Sequence, residues 1–301
     1  MDILLLLLPD LSLIATGTLL YRFVQWGDGF WAGLERLVYN LLFPALLFTS
    51  IARNRIDLMQ AAPFAAAVLA VLVLGIALGR LGRRLHDVEP RRFASAVQCA
   101  FRFNSYVALA LSQRLGGEAG VALCAIVVAV AVPLGNTAAV WHLARHSGAG
   151  LGRELARNPL ILATAAGLAA NLAGLSLPEP ADAYLSRLGA AAIALGLIAV
   201  GAGLRLAAQA PGRPGDRRFA AHAFAVKLVA MPLAALGLAQ ALGLAPLPSQ
   251  ILVLFAAMPS ASACYILAAR MGGDGPYVAS LITSTTLGAA VAVPFWLSWV
   301  H

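Results

Sequence analysis

Charge is scarce in this chain of 301 residues. Acidic and basic side chains together make up 11% of it, where a soluble domain carries about 25%. Stretches 58–79, 119–144, 158–178 and 275–300 contain no Asp, Glu, Lys or Arg at all, and neither does 228–269. That excludes an ordinary soluble fold. Cysteine is rare too. Cys99, Cys124 and Cys264 lie inside apolar stretches with no His or Cys partner at ligand spacing. They read as small hydrophobes, so neither a disulfide framework nor a metal site is expected. Lys227 is the one lysine among 21 basic residues. The opening "MDILLLLLPD" has no basic leader region and no small-residue cleavage site, so it reads as a retained first span. No polar segment is long enough for a separate soluble domain, and no HExxH, Asp pair or Ser/His set lies within a span.

What is present is apolar length. Hydrophobic residues make up 61% of the chain and mean hydropathy is +0.84. A helical crossing takes roughly 20 apolar residues. Ten spans follow: 3–22, 34–52, 59–79, 92–113, 118–142, 158–175, 184–204, 219–242, 249–269 and 276–299. The class expected is therefore an all-α, multi-pass membrane protein. A net charge of +8 then describes topology, with no nucleic acid partner. With the N-terminus outside, fifteen arginines fall in inward loops, and Arg53, Arg55, Arg114 and Arg187 in outward ones. That bias supports ten spans with both termini outside. A composition rich in Ala, Gly, Leu and Arg fits a GC-rich bacterial coding sequence, and hence a bacterial inner membrane.

A repeat runs through the chain. "LGGEAG" at 115–120 and "MGGDGP" at 271–276 each follow a polar-interrupted apolar span, with Arg114 and Arg270 at the same offset. "LPDLSLIATG" at 8–17 aligns with "NPLILATAAG" at 158–167. Residues 1–150 and 151–301 are thus expected to be two five-span halves. Because five is odd, the second half is inverted, a frequent plan of secondary transporters.

Both halves carry a mid-span break. The first is "RFNS", Arg102 to Ser105; the second is "MPSAS", residues 258–262, with Pro259, Ser260 and Ser262. Pro259 removes a backbone donor and obstructs the ladder one turn earlier. Irregular backbone at membrane depth is tolerated only when buried in protein or lining a watery cavity. Two breaks at matched depth point to two interrupted helices, the fourth and ninth, meeting at the centre. Their second halves would aim positive dipole ends at one site, which favours an anion. Pro and Ser are also ordinary in membrane helices, so a plain kink is the alternative for either break alone.

Further polar residues fit two roles each. Arg102 suits a bidentate anchor for a carboxylate, or a cap for freed carbonyls. Asn136 and Asn40 lie near Pro133 and Pro44, and either faces the cavity or bonds a neighbouring helix. Lys227 is nine residues beyond Arg218, up to ~13 Å along a helix. Snorkelling to the interface is the reading favoured for it, with ion coupling as the other. Asp10 is a second coupling candidate, or simply part of a helix start. Glu35 and Asp57 are expected to be solvated. No acidic residue sits in either break, so a hard-cation site of carboxylates is absent. H+ or Na+ coupling stays open, no cofactor is called for, and self-association into a homodimer is left undecided.

The segment "FRFNSYVALALSQRLGGEAGVALCAIVVAVAVPLGN" resembles the fourth and fifth spans of the auxin efflux carrier family, and "MPSASACYILAARMGGDGPYVASLITSTT" its ninth and tenth. "YNLLFPALLFTSIA" is similar to the second span and "RNPLILATAAGLAANLAGLSLP" to the sixth. The resemblance implies a ten-helix secondary carrier with the bile-acid-symporter-like superfold. Spans 1, 2, 6 and 7 would form a scaffold, and spans 3–5 and 8–10 a transport unit whose fourth and ninth helices cross. It implies small carboxylate substrates, malonate- or malate-like for bacterial members, with the family's asparagine at Asn104 and its proline at Pro259. Departures are Tyr106 where a Gly is usual and Ile193 where a proline is often found, and the long central loop of plant members is missing. The expected function is secondary transport of a small organic anion. A gated channel and a membrane-embedded enzyme are the alternatives.

Overall fold

The computed structural model describes residues 3–24, 26–53, 58–147, 159–175, 177–207 and 213–300, and among these there is helix but no strand. In chain order the helices are α1 (Ile3–Phe23), α2 (Gly27–Leu37), a π turn π1 (Val38–Leu42), α3 (Phe43–Ala52), α4 (Leu58–Leu85) and α5 (Pro90–Ala96). A 3-10 turn (Val97–Ala100) leads towards α6 (Ser105–Ser147), α7 (Pro159–Leu172), α8 (Glu179–Ala207) and α9 (Pro214–Ala225). A second π turn π2 (Val226–Ala230), α10 (Met231–Ala241), α11 (Pro246–Ala257), α12 (Ala263–Arg270) and α13 (Gly275–Leu297) complete the chain. Five described stretches are long and apolar enough to cross a membrane: Ala62–Leu85, Ile126–Leu143, Glu179–Ala199, Pro214–Ala241 and Gly275–Leu297. The protein is an all-α membrane protein. Asp57 and Asn158 lie outside the described residues, as does the side chain of Asp10.

The helices pack in two groups. In one, α1 lies along α8, and α3 along α7 and α8. Contact between α1 and α8 is backbone-close: a Cβ on Gly17 would stand 2.0 Å from the Ile198 carbonyl oxygen. In the other, α11 packs on α10 and α6, and α4 on α6 and α10. α8 runs helical through Ile193. α6 is two helices folded at Gly116 and Gly117, where Gly117 takes φ +55°. In the second motif it is the first glycine, Gly272, that takes φ +71°. The paired Gly-Gly motifs therefore each supply a left-handed position that a residue with a Cβ adopts only with strain.

The two π turns have one cause. Each is followed by a proline, Pro44 or Pro232, whose ring would meet the carbonyl four residues back in an α-helix. Widening the turn avoids the clash: Phe43 N–H reaches back to Val38 O, and Met231 N–H to Val226 O. The displaced Leu228 carbonyl is taken by Trp296 Nε1 at 2.8 Å.

On one face of the second group, three helix N-termini converge. Glu89, Arg213 and Asp274 occupy the N-cap positions, each with a proline one or two residues into the helix, where a missing N–H costs nothing. Glu89 accepts from Arg91 N and Arg92 N, and Asp274 from Tyr277 N. Arg92 joins the three, donating to Asp216 at 2.6 Å and to Asp274 at 2.9 Å and lying over the Tyr277 ring. Asp216 also accepts from Glu89 N and Arg213 N. Gly215 lets this happen, because a Cβ there would fall 1.7 Å from the Asp87 carbonyl oxygen. Elsewhere Arg53 forms an ion pair with Asp182, at 2.7 Å. Each cluster joins loops that the arginine bias assigns to a single side. Replacing Arg92 by Leu strands the Asp216 carboxylate, which is 1% exposed. Truncating one partner of a buried pair costs about 3–5 kcal/mol, and the two backbone donors left to Asp216 put this case at the lower end. Thermal unfolding in detergent should show the loss, and Arg92→Leu combined with Asp216→Asn should recover much of it.

Candidate functional site

The two breaks meet. In the first, the backbone leaves the helix at Phe101 and resumes at Ser105; in the second it leaves at Met258 and resumes at Ala263. Breaking a helix orphans backbone donors and acceptors, and in an apolar interior each must find a partner. Here each break serves the other. Asn104 N–H donates to the Pro259 carbonyl at 3.0 Å. The Cys99 carbonyl, which an unbroken helix would give to Phe103 N, accepts from Ser260 Oγ at 2.7 Å. Ser260 N–H, released from Ala256, turns to Thr285 Oγ1 on α13 at 3.3 Å. The Phe103 and Phe255 rings pack edge to face at 4.9 Å and close the apolar side.

Gln98 is the hub that the sequence reading missed. It is fully buried, and its amide nitrogen donates to Ser95 O at 2.9 Å and to Cys264 O at 3.1 Å across the repeat. Its amide oxygen accepts from Arg102 Nη1 at 2.6 Å. A signal existed: Gln98 stands four residues before Arg102, the spacing at which side chains on one helix meet. Arg102 is 8% exposed, and its guanidinium donates to this neutral amide. The ion pairs among the described residues involve Arg53 and Arg92 only. Beside Arg102 runs the second half of α6, where a Cβ on Gly135 would sit 3.6 Å from Arg102 Cγ. The next residue, Asn136, is 2% exposed, and its amide nitrogen has no acceptor.

The remaining candidates divide. Asn104 caps α6 by accepting from Val107 N at 3.3 Å. Ser105 is half-buried at the first turn of α6, and half-buried Ser262 precedes α12 without making a side-chain cap. Asn40 is not in the buried cluster: it is exposed and spends its amide on Arg36 O, one turn back. Lys227 does not snorkel. It is fully buried, and its ammonium nitrogen donates to the Ala256 carbonyl, the one Ser260 N–H gave up, at 3.2 Å. The stripe Phe219, Ala223, Lys227, Met231, Ala235, Ala239 is buried throughout, and its four-residue spacing was legible as a core face. Nor is Glu35 solvated; it is half-buried and accepts from Tyr265 OH on α12 at 2.7 Å. The three cysteines are free and buried, and no metal-holding group occurs among the described residues.

A helical membrane protein with a buried cation and an unsatisfied amide at the junction of two broken helices has the makings of a binding site for a small polar solute. Comparison supplies the family. Residues 144–297 match the model described as "Membrane transport protein". A Rhizobium meliloti (strain 1021) protein named "Putative malonate transporter" is 27% identical, over 96% of this chain and 92% of its own length. A Methanothermobacter thermautotrophicus protein named "Uncharacterized transporter" is 25% identical, over 96% and 95%. This chain belongs to the membrane transport protein family, the auxin efflux carriers, and is a transporter and not an enzyme.

The junction itself is open to test. Ser260→Ala removes the donor from the buried Cys99 carbonyl, and an unsatisfied buried acceptor costs about 1–3 kcal/mol. The melting temperature in detergent should fall accordingly; an unchanged value would mean the two breaks are not tied through this bond.

Proposed function

We propose that the protein is a secondary active transporter that carries a small organic anion by alternating access, with the anion held where the two breaks meet. Ten crossings, arranged as two inverted repeats of five, place the broken fourth and ninth helices at that centre. The repeats are residues 1–150 and 151–301. Spans 1, 2, 6 and 7 form the scaffold, and spans 3–5 with 8–10 the moving unit. The packing of α1 with α8 and of α3 with α7 and α8, beside the α4–α6–α10–α11 group, supports that division, with α13 and α6 touching α8 and α7 across it. One observation carries the reading: a buried guanidinium bonded to a neutral amide, with no carboxylate from the described residues paired to it. A charge kept in such a place without a partner is costly, and an anionic substrate supplies the partner. Arg102 anchors the carboxylate, Asn136 offers its unpaired amide, and the α6 and α12 N-termini add their dipole ends. The name of the Rhizobium relative supports a dicarboxylate as the first substrate to try.

Malonate added to the purified protein should raise its melting temperature. Arg102→Ala should raise the malonate concentration needed for that response by roughly 10- to 100-fold, the equivalent of losing a charged hydrogen bond of about 1.5–3 kcal/mol. Gln98→Glu is the sharper variant. It puts a carboxylate beside Arg102 but removes the donor that Ser95 O and Cys264 O share, so the variant should melt lower, and its folded fraction should lose the malonate response. A Gln98→Glu protein that binds as wild type would refute the anchor.

Orientation has its own test. A cysteine at Arg213, beside the three converging N-termini, should be labelled from the cytoplasm. One at Tyr184, 60% exposed near the Arg53–Asp182 pair, should be labelled from outside. The native cysteines are all buried and give a low background. Labelling of both positions from one side would break the inverted arrangement.

A further inference from the structure

The junction holds two buried cations, and they differ in kind. A guanidinium holds its proton, whereas a lysine ammonium gives its proton up more readily once buried. Lys227 is fully buried, and its nitrogen has one acceptor, the Ala256 carbonyl at 3.2 Å. An ammonium carries three donors, so two are unmet here. The Phe255 ring lies 5.7 Å from the nitrogen, a weak attraction that does not replace water or a carboxylate. The ionisable groups facing it from neighbouring elements are the Cys264 thiol and, beyond it, the Cys99 thiol and the Arg102 guanidinium. On its own helix Asp216 is eleven residues away and engaged by Arg92. On α13, Tyr277 donates to the Asp216 carbonyl, and the arginines of α4 stand at that helix's far end.

A positive charge on Lys227 is therefore unsupported while the site is empty and supported when an anion enters beside Arg102. We propose that Lys227 is the proton carrier of this transporter: its amine binds a proton as the anion binds and releases that proton as the anion leaves. Proton and anion then travel in the same direction, and a proton gradient drives uptake. The inference rests on the anion-carrier reading above. A permanently charged Lys227, capping the end of α11 where carbonyls are left unpaired, is the opposing account.

The test uses the full-length protein in weakly buffered detergent with a pH indicator, near neutral pH, and malonate as the probe. Wild type should take up about one proton for each malonate bound, as linkage requires of a group whose protonation is coupled to the ligand. Lys227→Met should bind without proton uptake. Lys227→Arg, which keeps the charge and cannot release it, guards against misfolding of the first variant: it should be stabilised by malonate, exchange it in proteoliposomes, and show neither proton uptake nor a response to an imposed pH gradient. Malonate binding to wild type without proton uptake would overturn the proposal while sparing the carrier reading. So would proton uptake in Lys227→Arg equal to that of wild type. Wild type showing neither malonate stabilisation nor malonate exchange would sink the carrier reading, and this inference with it.

Discussion

Interrupting a helix inside an apolar interior exposes backbone groups that nothing but protein can satisfy, and this structure is organised around meeting that need. A single break would require a dedicated partner for every orphan. Two breaks placed together let each supply the other. Pro259 offers the carbonyl that Asn104 N–H requires, and Ser260 supplies the hydroxyl that Cys99 O requires. Gln98 spans the gap with one amide, binding Ser95 O on its own side and Cys264 O on the other. The residues that remain, Arg102, Asn136 and Lys227, carry polar capacity beyond what the backbone absorbs.

The division between Arg102 and Lys227 follows from which end of a broken helix each side chain serves. Arg102 lies within the first break, just before α6 begins, and its side chain turns back to Gln98. It leaves the positive dipole end of α6 unopposed, so charge and dipole both favour an anion. Lys227 reaches the last turn of α11, where unpaired carbonyls carry partial negative charge, and takes the one released by the break. In the proposed carrier, one cation reinforces the attraction for an anion, while the other balances a helix end and is the one assigned the change of proton count.

Much of this was legible in the sequence. Scarcity of charge marked the membrane, and "RFNS" and "MPSAS" marked the breaks, because polar residues at apolar depth have few explanations. Pairing across large sequence distance was not legible. Glu35 and Tyr265 stand 230 residues apart, and nothing local in either segment predicts a bond, so Glu35 read as solvated. Lys227 was misjudged for a different reason: the charged tip was weighed more heavily than the buried stripe that carries it. Gln98 escaped because a lone amide in "ASAVQCAF" reads as a helix residue until Arg102 is seen on the same face. The π turns lay implicit in Pro44 and Pro232, since a proline ring in an α-helix either kinks it or widens the preceding turn.

The proposed movement depends on how the polar bonds are distributed. Within the group that carries the breaks they are dense, with Arg92 joining three helix N-termini and Gln98 and Ser260 fastening one break to the other. Between that group and the α2–α3 segment, the named polar contacts are the Glu35–Tyr265 hydrogen bond and Arg270 over the Tyr39 ring at 5.7 Å. Both contacts fall on α12, which begins at the second break and ends at the Gly272 turn. In the proposed carrier, a shift against the α2–α3 segment would therefore exchange these two contacts at a single helix. That helix also contains Cys264, whose carbonyl Gln98 holds. In the proposed carrier, α12 is thus the element that joins the site to the α2–α3 segment.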